Sequence, residues 1–450
     1  MNSLAQRLQH YFPASYDRGH PVLVTLGILS AIVWVFTEIW YDGKGEQLPE
    51  NLMVVTFLVS AWGHRRRLKS DLVMKLLLVA IVLPLALFCI NAAIDYDTAE
   101  RYFSGKDFLK LFLFLPLAWW IGGSYTGALR MLAIAFLGLL VAIALDPNLG
   151  SSLARIWSGQ RVDFNIRNAQ HGALFFGVTF IFALCYAIQL LRAETRSRLG
   201  VIMVLLAFAT SSIGLLGTQT RAAVLGLVVC CLLALGQWLW HVISRSKERI
   251  PVARMLLVVA IVIGLMGWSI KESIYPRIVA DKTSIAQIFA GDLDSLPYQG
   301  IGLRVHSWVA SLRWISERPL TGWGRKARVD VIRLADNFPE DVKERFGHLH
   351  NGYLEIAVGF GFPGLIFLGV YWAVLLSRTR QSAEPVLYRF VFYSSVFFLV
   401  MNVFESFFVK TSGEFAVAVF MAAGYCRYLA NSLSGCNPGE VVASEGNSNR

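Results

Sequence analysis

The chain has 450 residues, 56% of them hydrophobic, 13% aromatic and only 16% charged, with a mean hydropathy of +0.54. That balance excludes an ordinary water-soluble domain and makes lipid the main solvent. The formal net charge of +11 does not point to nucleic acid, because the basic residues are scattered over short loops and form no aromatic-interleaved basic face.

The apolar runs begin near Pro21. The first is longer than a signal-peptide core, ends in Glu38-Ile-Trp40 where a cleavage site would need small residues, and is followed by many more, so it reads as a transmembrane helix. A bilayer core about 30 Å thick takes roughly 20 apolar residues per helix. Runs approaching that length lie near 21–40, 51–63, 71–94, 107–121, 125–145, 170–191, 199–217, 221–243, 253–270, 352–376, 386–405 and 413–430, about twelve in all, the second and fourth being short. The expected fold is an all-α polytopic membrane protein. Residues 1–270 supply nine spans, 271–350 one large loop with a helical cap, 351–430 three further spans, and 431–450 a Ser/Asn/Gly-rich disordered tail.

Charge orients this layout. Arg65-Arg66-Arg67 with Lys69, Arg192 with Arg196 and Arg198, Arg245 with Lys247, Arg249 and Arg254, and Arg378 with Arg380 and Arg389 all fall on one side, which the positive-inside rule makes cytoplasmic. Both termini then lie in the cytoplasm. Of the six cysteines, Cys89, Cys185, Cys230 and Cys231 lie inside spans and Cys426 and Cys436 at the cytoplasmic end, so no disulfide in an oxidising compartment is expected.

Three outer segments are too long to be turns: 95–106, 146–169 and 271–350. The last is large enough to build a site. Within it Val305, Trp308, Val309, Leu312 and Ile315 recur at helical spacing, with Arg304 at the start and Pro319 at the end, predicting an amphipathic helix at the membrane interface. Gly322-Trp-Gly324 then turns the chain, and a second helical stretch runs from about Val329 to Phe338, before Pro339.

Two constellations carry chemistry. His348-Leu-His350-Asn351 closes the outer loop, and Gly361-Phe-Pro-Gly364 lies about three turns into the next helix. Histidine titrates closest to neutral pH, so His350 is placed to take a proton from a hydroxyl nucleophile, unless both histidines merely cap the span. Arg221, in Thr218-Gln-Thr-Arg221-Ala-Ala-Val-Leu225, stands at the outer end of a span. Arg161 and Arg167 share one outer loop and Arg304 belongs to another. Several guanidinium groups gathered on that face, against the positive-inside bias, suit a diphosphate, whose oxygens the planar fork matches bidentately. Asp95-Tyr-Asp97 and Asp292-Leu-Asp294 are weak metal motifs, and His348-x-His350 shows no obvious third ligand in the sequence. No metal and no cofactor is expected. No Walker loop, Rossmann fingerprint or G-x-S-x-G is present, which leaves a nucleotide-driven pump or serine hydrolase unsupported.

These residues resemble a known family. His350-Asn351, nine residues, then Gly361-Phe-Pro-Gly364 is similar to the signature of the O-antigen ligase and polymerase superfamily; Thr220-Arg221-Ala-Ala-Val-Leu225 resembles its Arg-x-x-x-Leu element; and Arg304, Trp308 and Glu317-Arg-Pro-Leu-Thr-Gly322-Trp-Gly324 resemble its large-loop segment. The resemblance implies a metal-independent, inverting, membrane-embedded (GT-C type) glycosyltransferase of the bacterial inner membrane. It would use an undecaprenyl-diphosphate-linked O-antigen as donor and, for a ligase, a sugar hydroxyl of lipid A-core as acceptor, in lipopolysaccharide biosynthesis. By the same resemblance His350 is the base or acceptor-orienting group, and Arg221 and Arg304 hold the diphosphate. Arg161, Arg167, His348 and Asn351 are expected as substrate-binding neighbours. An O-antigen polymerase and a protein O-oligosaccharyltransferase share the chemistry. A lipid-linked sugar transporter, which would want an internal repeat, is the alternative of another class.

Overall fold

The computed structural model describes residues 2–41, 47–105, 108–192, 197–244, 264, 282–382 and 384–434. The expected span near 253–270, the basic loop 245–254, Arg196, Cys436 and nearly all of the tail lie outside the described residues. Among the described residues the chain is helical throughout, apart from loops and one isolated bridge between Ala14 and Gly123. α1 (Asn2–Tyr11) precedes α2 (Pro21–Tyr41), α3 (Leu48–Ala61), α4 (Arg65–Leu68), α5 (Leu72–Ile94), α6 (Tyr96–Tyr102), α7 (Phe114–Ile121), α8 (Tyr125–Ala144) and α9 (Leu149–Trp157). Then come α10 (Ala169–Arg192), α11 (Arg198–Thr218) and α12 (Arg221–Ser244), the cap helices α13 (Lys282–Ala290), α14 (Gly300–Glu317), α15 (Ala327–Arg333) and α16 (Glu340–Arg345), and finally α17 (Gly352–Ser382), α18 (Pro385–Met401) and α19 (Thr411–Ser434).

Seven of these, α2, α5, α8, α10, α11, α12 and α17, are long and apolar enough to cross a membrane. The protein is therefore an all-α, multi-pass membrane protein. Side-chain caps set several helix starts: Asp71 accepts from the Val73 amide, Ser124 from Gly127 and Ser197 from Gly200. The outer helices α5 and α11 leave Leu78, Val82, Leu85, Ile202 and Leu205 bare, as lipid-facing helices should. By contrast α19 is sheathed by α7, α8, α17 and α18. A helix surrounded by protein need not be apolar on every face, and α19 carries buried Ser412 and Glu414.

Two expected spans are built differently. The run 107–121 divides into a 3-10 turn, Leu109–Phe112, and the short α7. Pro116 lacks the N–H that a helix interior needs, and it sits in the first turn of α7, where that donor would be idle. The run 386–405 stops at Met401, because Asn402 donates from Nδ2 to the Phe398 carbonyl (2.8 Å) and accepts at Oδ1 from the Phe408 amide (2.9 Å), folding residues 402–408 back on themselves.

The cap forms its own apolar core from Leu303, Ile315, Val331, Phe338 and Leu349 with Tyr102 of α6. α14 starts and ends close to where its sequence pattern places it, and its outer face leaves Val309 and Leu312 exposed, the arrangement of an interfacial helix. The second loop helix is shorter than expected and is followed by α16.

Cap and bundle meet at a joint built from glycine. Gly361 interrupts α17 with φ 60° and ψ −159°, and the loop after α14 fills the break. Phe362 N donates to Pro319 O (2.8 Å), Trp323 N to Val358 O (2.9 Å) and Gly324 N to Gly359 O (2.8 Å). A Cβ on Gly361 would sit 2.3 Å from the Pro319 oxygen, and one on Gly322 (φ +62°) 2.4 Å from the Phe360 nitrogen. Only glycine satisfies both the positive φ and the close approach. Arg318 stacks over Trp323, 4.0 Å from its ring centre, and Asn91 of α5 donates to the Gly322 carbonyl (3.0 Å).

Candidate active site

The joint fixes the cap over one end of the bundle, where the starts of α10, α12, α17 and α19 meet the ends of α11 and α18. The loop 159–169 is laid against the α11–α12 turn: Val162 N donates to Gly217 O (2.8 Å), Arg161 Nε to Thr218 O (3.1 Å), and Gln219 Nε2 to Gly159 O (2.9 Å). Thr220 Oγ1 donates to Ala169 O (3.2 Å), which brings Arg221 at the start of α12 beside the start of α10.

His350 sits at the mouth of α17 with φ +51°, a left-handed conformation that costs a non-glycine residue and persists only where the surroundings over-determine it. They do. The next residue, Asn351, caps α17 by accepting at Oδ1 from Tyr353 N (3.0 Å) and Leu354 N (3.1 Å). Gly352 N donates to Asn402 O (2.8 Å) and Glu405 O (3.1 Å), and from the cap Trp308 Nε1 donates to Leu349 O (3.1 Å). Asn351, expected near substrate, thus spends its side-chain oxygen on the helix.

The folded-back segment supplies a residue the sequence reading did not select. Glu405 is buried and lies against both histidines: its Oε2 is 3.4 Å from His350 Nδ1 and its Oε1 3.6 Å from His348 Nε2. Ser406 N donates to Oε1 (3.0 Å). Burial would raise this carboxyl, but the hydrogen bond with His350, the neighbouring His348 ring and the Ser406 amide hold it below the usual 4.5. Burial pushes His348 down to about 3, helped by His350 and Lys410, so its ring is neutral at ordinary pH. Burial likewise lowers Lys410, against the pull of Glu355 and Glu405.

Around this core stands a second carboxylate, Glu355, which accepts from Arg328 (2.7 Å), from Ser406 Oγ (2.6 Å) and from Leu349 N (3.0 Å). Gln170, at the start of α10, bridges the groups: its amide nitrogen donates to Glu405 Oε2 and its oxygen accepts from Arg304 Nη2 (3.1 Å), with the amide oriented to satisfy both. Next to it His171 shares a hydrogen bond with Ser412 Oγ. Arg167 lines a small pocket with His171, Ser412 and Glu38. The structure brings His348 and His350 together directly and reaches Arg304 through Gln170, with Arg167 at the pocket edge and Arg161 and Arg221 on the adjoining turn.

The histidine pair acquires the third ligand that the sequence did not reveal. The donor atoms of His348, His350 and Glu405 lie within 4.8 Å of one another, spacing that a divalent ion accepts. The charges of Lys410, Arg328 and Arg167 around them favour an anion instead. The Asp-x-Asp pairs are elsewhere engaged: Asp95 accepts from Thr98 N (3.1 Å) at the start of α6, and Asp292 accepts from Ser295 Oγ (2.7 Å).

Beside this basic end an apolar cavity of about 480 Å³ opens among α2, α8, α10, α11, α18 and α19, lined by Phe136, Met203, Phe390 and Val419. Its wall includes Ile39 and Phe175, which also line the pocket of Arg167 and His171. The apolar space thus adjoins a polar pocket holding Glu38, Arg167, His171 and Ser412.

Residues 206–369 match the sequence profile of the family described as O-Antigen ligase. This segment belongs to that family. It runs from within α11 into α17 and includes Arg221, Arg304, His348, His350, Asn351 and both halves of the glycine joint. Arg161, Arg167, Gln170 and Glu405 lie outside the O-antigen ligase segment, although the fold brings Gln170 and Glu405 against its side chains. No curated protein matches the chain. The O-antigen ligase segment, set among membrane-spanning helices, supports a glycosyltransferase-like membrane enzyme of the broad ligase or polymerase kind.

Proposed function

We propose that the protein is an O-antigen ligase of the bacterial inner membrane, transferring the glycan from undecaprenyl diphosphate to a sugar hydroxyl of lipid A-core on the periplasmic face, without a metal. The observation that carries this reading is the pairing of a basic, histidine-bearing bundle end with an apolar cavity beside it. A polyprenyl chain occupies the cavity and its diphosphate faces the arginines.

In this reading His350 Nε2 takes the proton of the acceptor hydroxyl. The acceptor oxygen bonds to the anomeric carbon as the bond from that carbon to the diphosphate oxygen breaks, and undecaprenyl diphosphate leaves with the electron pair. Its growing charge is met by Arg304 and Arg221, with Arg161 and Arg167 at the entrance, and preorganised guanidinium groups in a partly dry site supply this without ATP. Direct attack inverts the configuration, so an α-linked donor gives a β linkage. His348, neutral and packed 4.0 Å from His350 ring to ring, orients its neighbour and the acceptor. The cap holds water off the donor, which it would otherwise hydrolyse.

Purified protein in nanodiscs, given lipid-linked O-antigen and lipid A-core with chelator present, is expected to form the conjugate. Longer lipid-linked glycan as the product would replace the ligase by a polymerase, and transfer to a Ser or Thr side chain would replace it by a protein-modifying enzyme.

A further inference from the structure

The catalytic roles above rest on His350, whose ring packs on His348 and Phe346 within the O-antigen ligase segment but finds its carboxylate partner outside it. An imidazole that accepts a proton must present a lone pair to the hydroxyl while its other nitrogen is tied down, or it samples the wrong tautomer. Glu405 supplies the tie. An ionised carboxylate can only accept hydrogen bonds, so His350 Nδ1 must carry the proton that points at Oε2, 3.4 Å away. In the neutral ring this tautomer leaves Nε2 as the acceptor. The distance is loose, as catalytic hydrogen bonds often are before substrate binds.

Three further observations argue that the arrangement is built rather than incidental. Glu405 is buried among cations and histidines, an expensive place for a carboxylate unless it is paired. Its backbone carbonyl accepts from Gly352 N (3.1 Å), so one residue clamps both the backbone after His350 and its ring. Gln170 connects the same carboxylate oxygen to Arg304, linking the proton-accepting side of the site to the diphosphate side.

We propose that Glu405 and Gln170 are positioning residues: Glu405 sets the His350 ring with Nδ1–H on the carboxylate and Nε2 toward the acceptor, and Gln170 ties that pair to Arg304. When His350 gains the acceptor's proton, the carboxylate stabilises the imidazolium. Arg304, drawn toward the same site through Gln170, is held where the leaving diphosphate forms. The proposal rests on the ligase reading for its substrates, but its geometry is testable without them.

The first test uses the full-length protein and diethyl pyrocarbonate, which acylates an unprotonated imidazole nitrogen, with each histidine's modification followed by peptide mass spectrometry. His350 is expected to react several-fold faster in wild type than in Glu405→Gln, with the distant His64 and His306 unchanged. The second measures transfer. Glu405→Gln should lower kcat about 100-fold, within the range for a general base and its orienting partner, with donor KM changed less than about threefold. Glu405→Asp should recover part of the loss. Gln170→Leu should mainly raise donor KM, about tenfold, as expected when a buried charged hydrogen bond is lost. If Glu405→Gln does not fold, Glu405→Ser, which also removes the carboxylate, is read by the same labelling, and unchanged His350 reactivity there overturns the proposal. Turnover of Glu405→Gln within threefold of wild type would also overturn it. So would transfer abolished by chelator and restored by a divalent ion, since the carboxylate would then be a metal ligand. Absence of any transfer by wild type, with the labelling difference intact, would instead sink the ligase reading and leave the positioning geometry standing.

Discussion

The glycine joint and the histidine cluster both sit where the cap meets the bundle, and both contain residues of the family signature, yet they are built on opposite terms. At the joint, backbone meets backbone: Pro319, Val358 and Gly359 offer carbonyls, glycines admit the close approach, and the polar groups pair within the protein. At the cluster, side chains meet side chains, with Glu405, Glu355, Arg328 and Lys410 surrounding two histidines. The first kind of contact fixes distance. The second stores charge and pKa perturbation, which is what chemistry needs. A motif spanning both regions is therefore half scaffold and half reagent.

Substitutions separate the halves. The largest loss of activity is expected from His350→Ala and Arg304→Ala, each lowering transfer by about 10²–10⁴-fold while the unfolding temperature in detergent stays near wild type. At the joint the pattern reverses. Gly361→Ala forces a Cβ to within 2.3 Å of the Pro319 oxygen at φ +60°, and should cost about 1–3 kcal/mol of stability, seen as a lower unfolding midpoint with modest change in turnover per folded molecule.

Acid provides a third, smaller perturbation confined to the cluster. His348 is held at about 3 against an ordinary 6.5, so the folded state refuses a proton that the unfolded chain accepts. That contribution to stability is complete above pH 6.5 and is lost as the pH falls toward 3. Glu405, held below its usual 4.5, adds a loss of the same sign below that pH. Unfolding midpoints measured across pH should therefore decline from about 6.5 downward. His348→Gln should flatten the upper part of the decline and Glu405→Gln the lower part. The smallest effect belongs to the Asp-x-Asp pairs, whose replacement by Asn at Asp95 and Asp292 should leave transfer unchanged with or without chelator.

Much of this was legible in the sequence, and the omissions have physical causes. Long apolar runs give α2, α5, α8, α10, α11, α12 and α17 because a lipid-facing helix advertises itself by composition. The run 107–121 is equally apolar, but Pro116 and full burial let it break into short pieces inside the protein. The arginines at span ends and His350 were visible because charge at a span end is conspicuous. Glu405 was hidden inside what reads as the end of a span, although a carboxylate in the apolar run Val400–Phe408 was itself a signal. Gln170 and His171 gave no local sign. They join the site only because Thr220 ties the start of α12 to Ala169, a contact between segments that sequence spacing does not encode.

The most direct measurement is turnover per folded molecule for His350→Ala and Gly361→Ala side by side, in nanodiscs with lipid-linked O-antigen and lipid A-core. If the cluster performs the chemistry and the joint only holds the cap, the first falls at least about a hundredfold while the second stays within a few-fold of wild type. Near-normal transfer by His350→Ala, or an equal collapse in both, would contradict it.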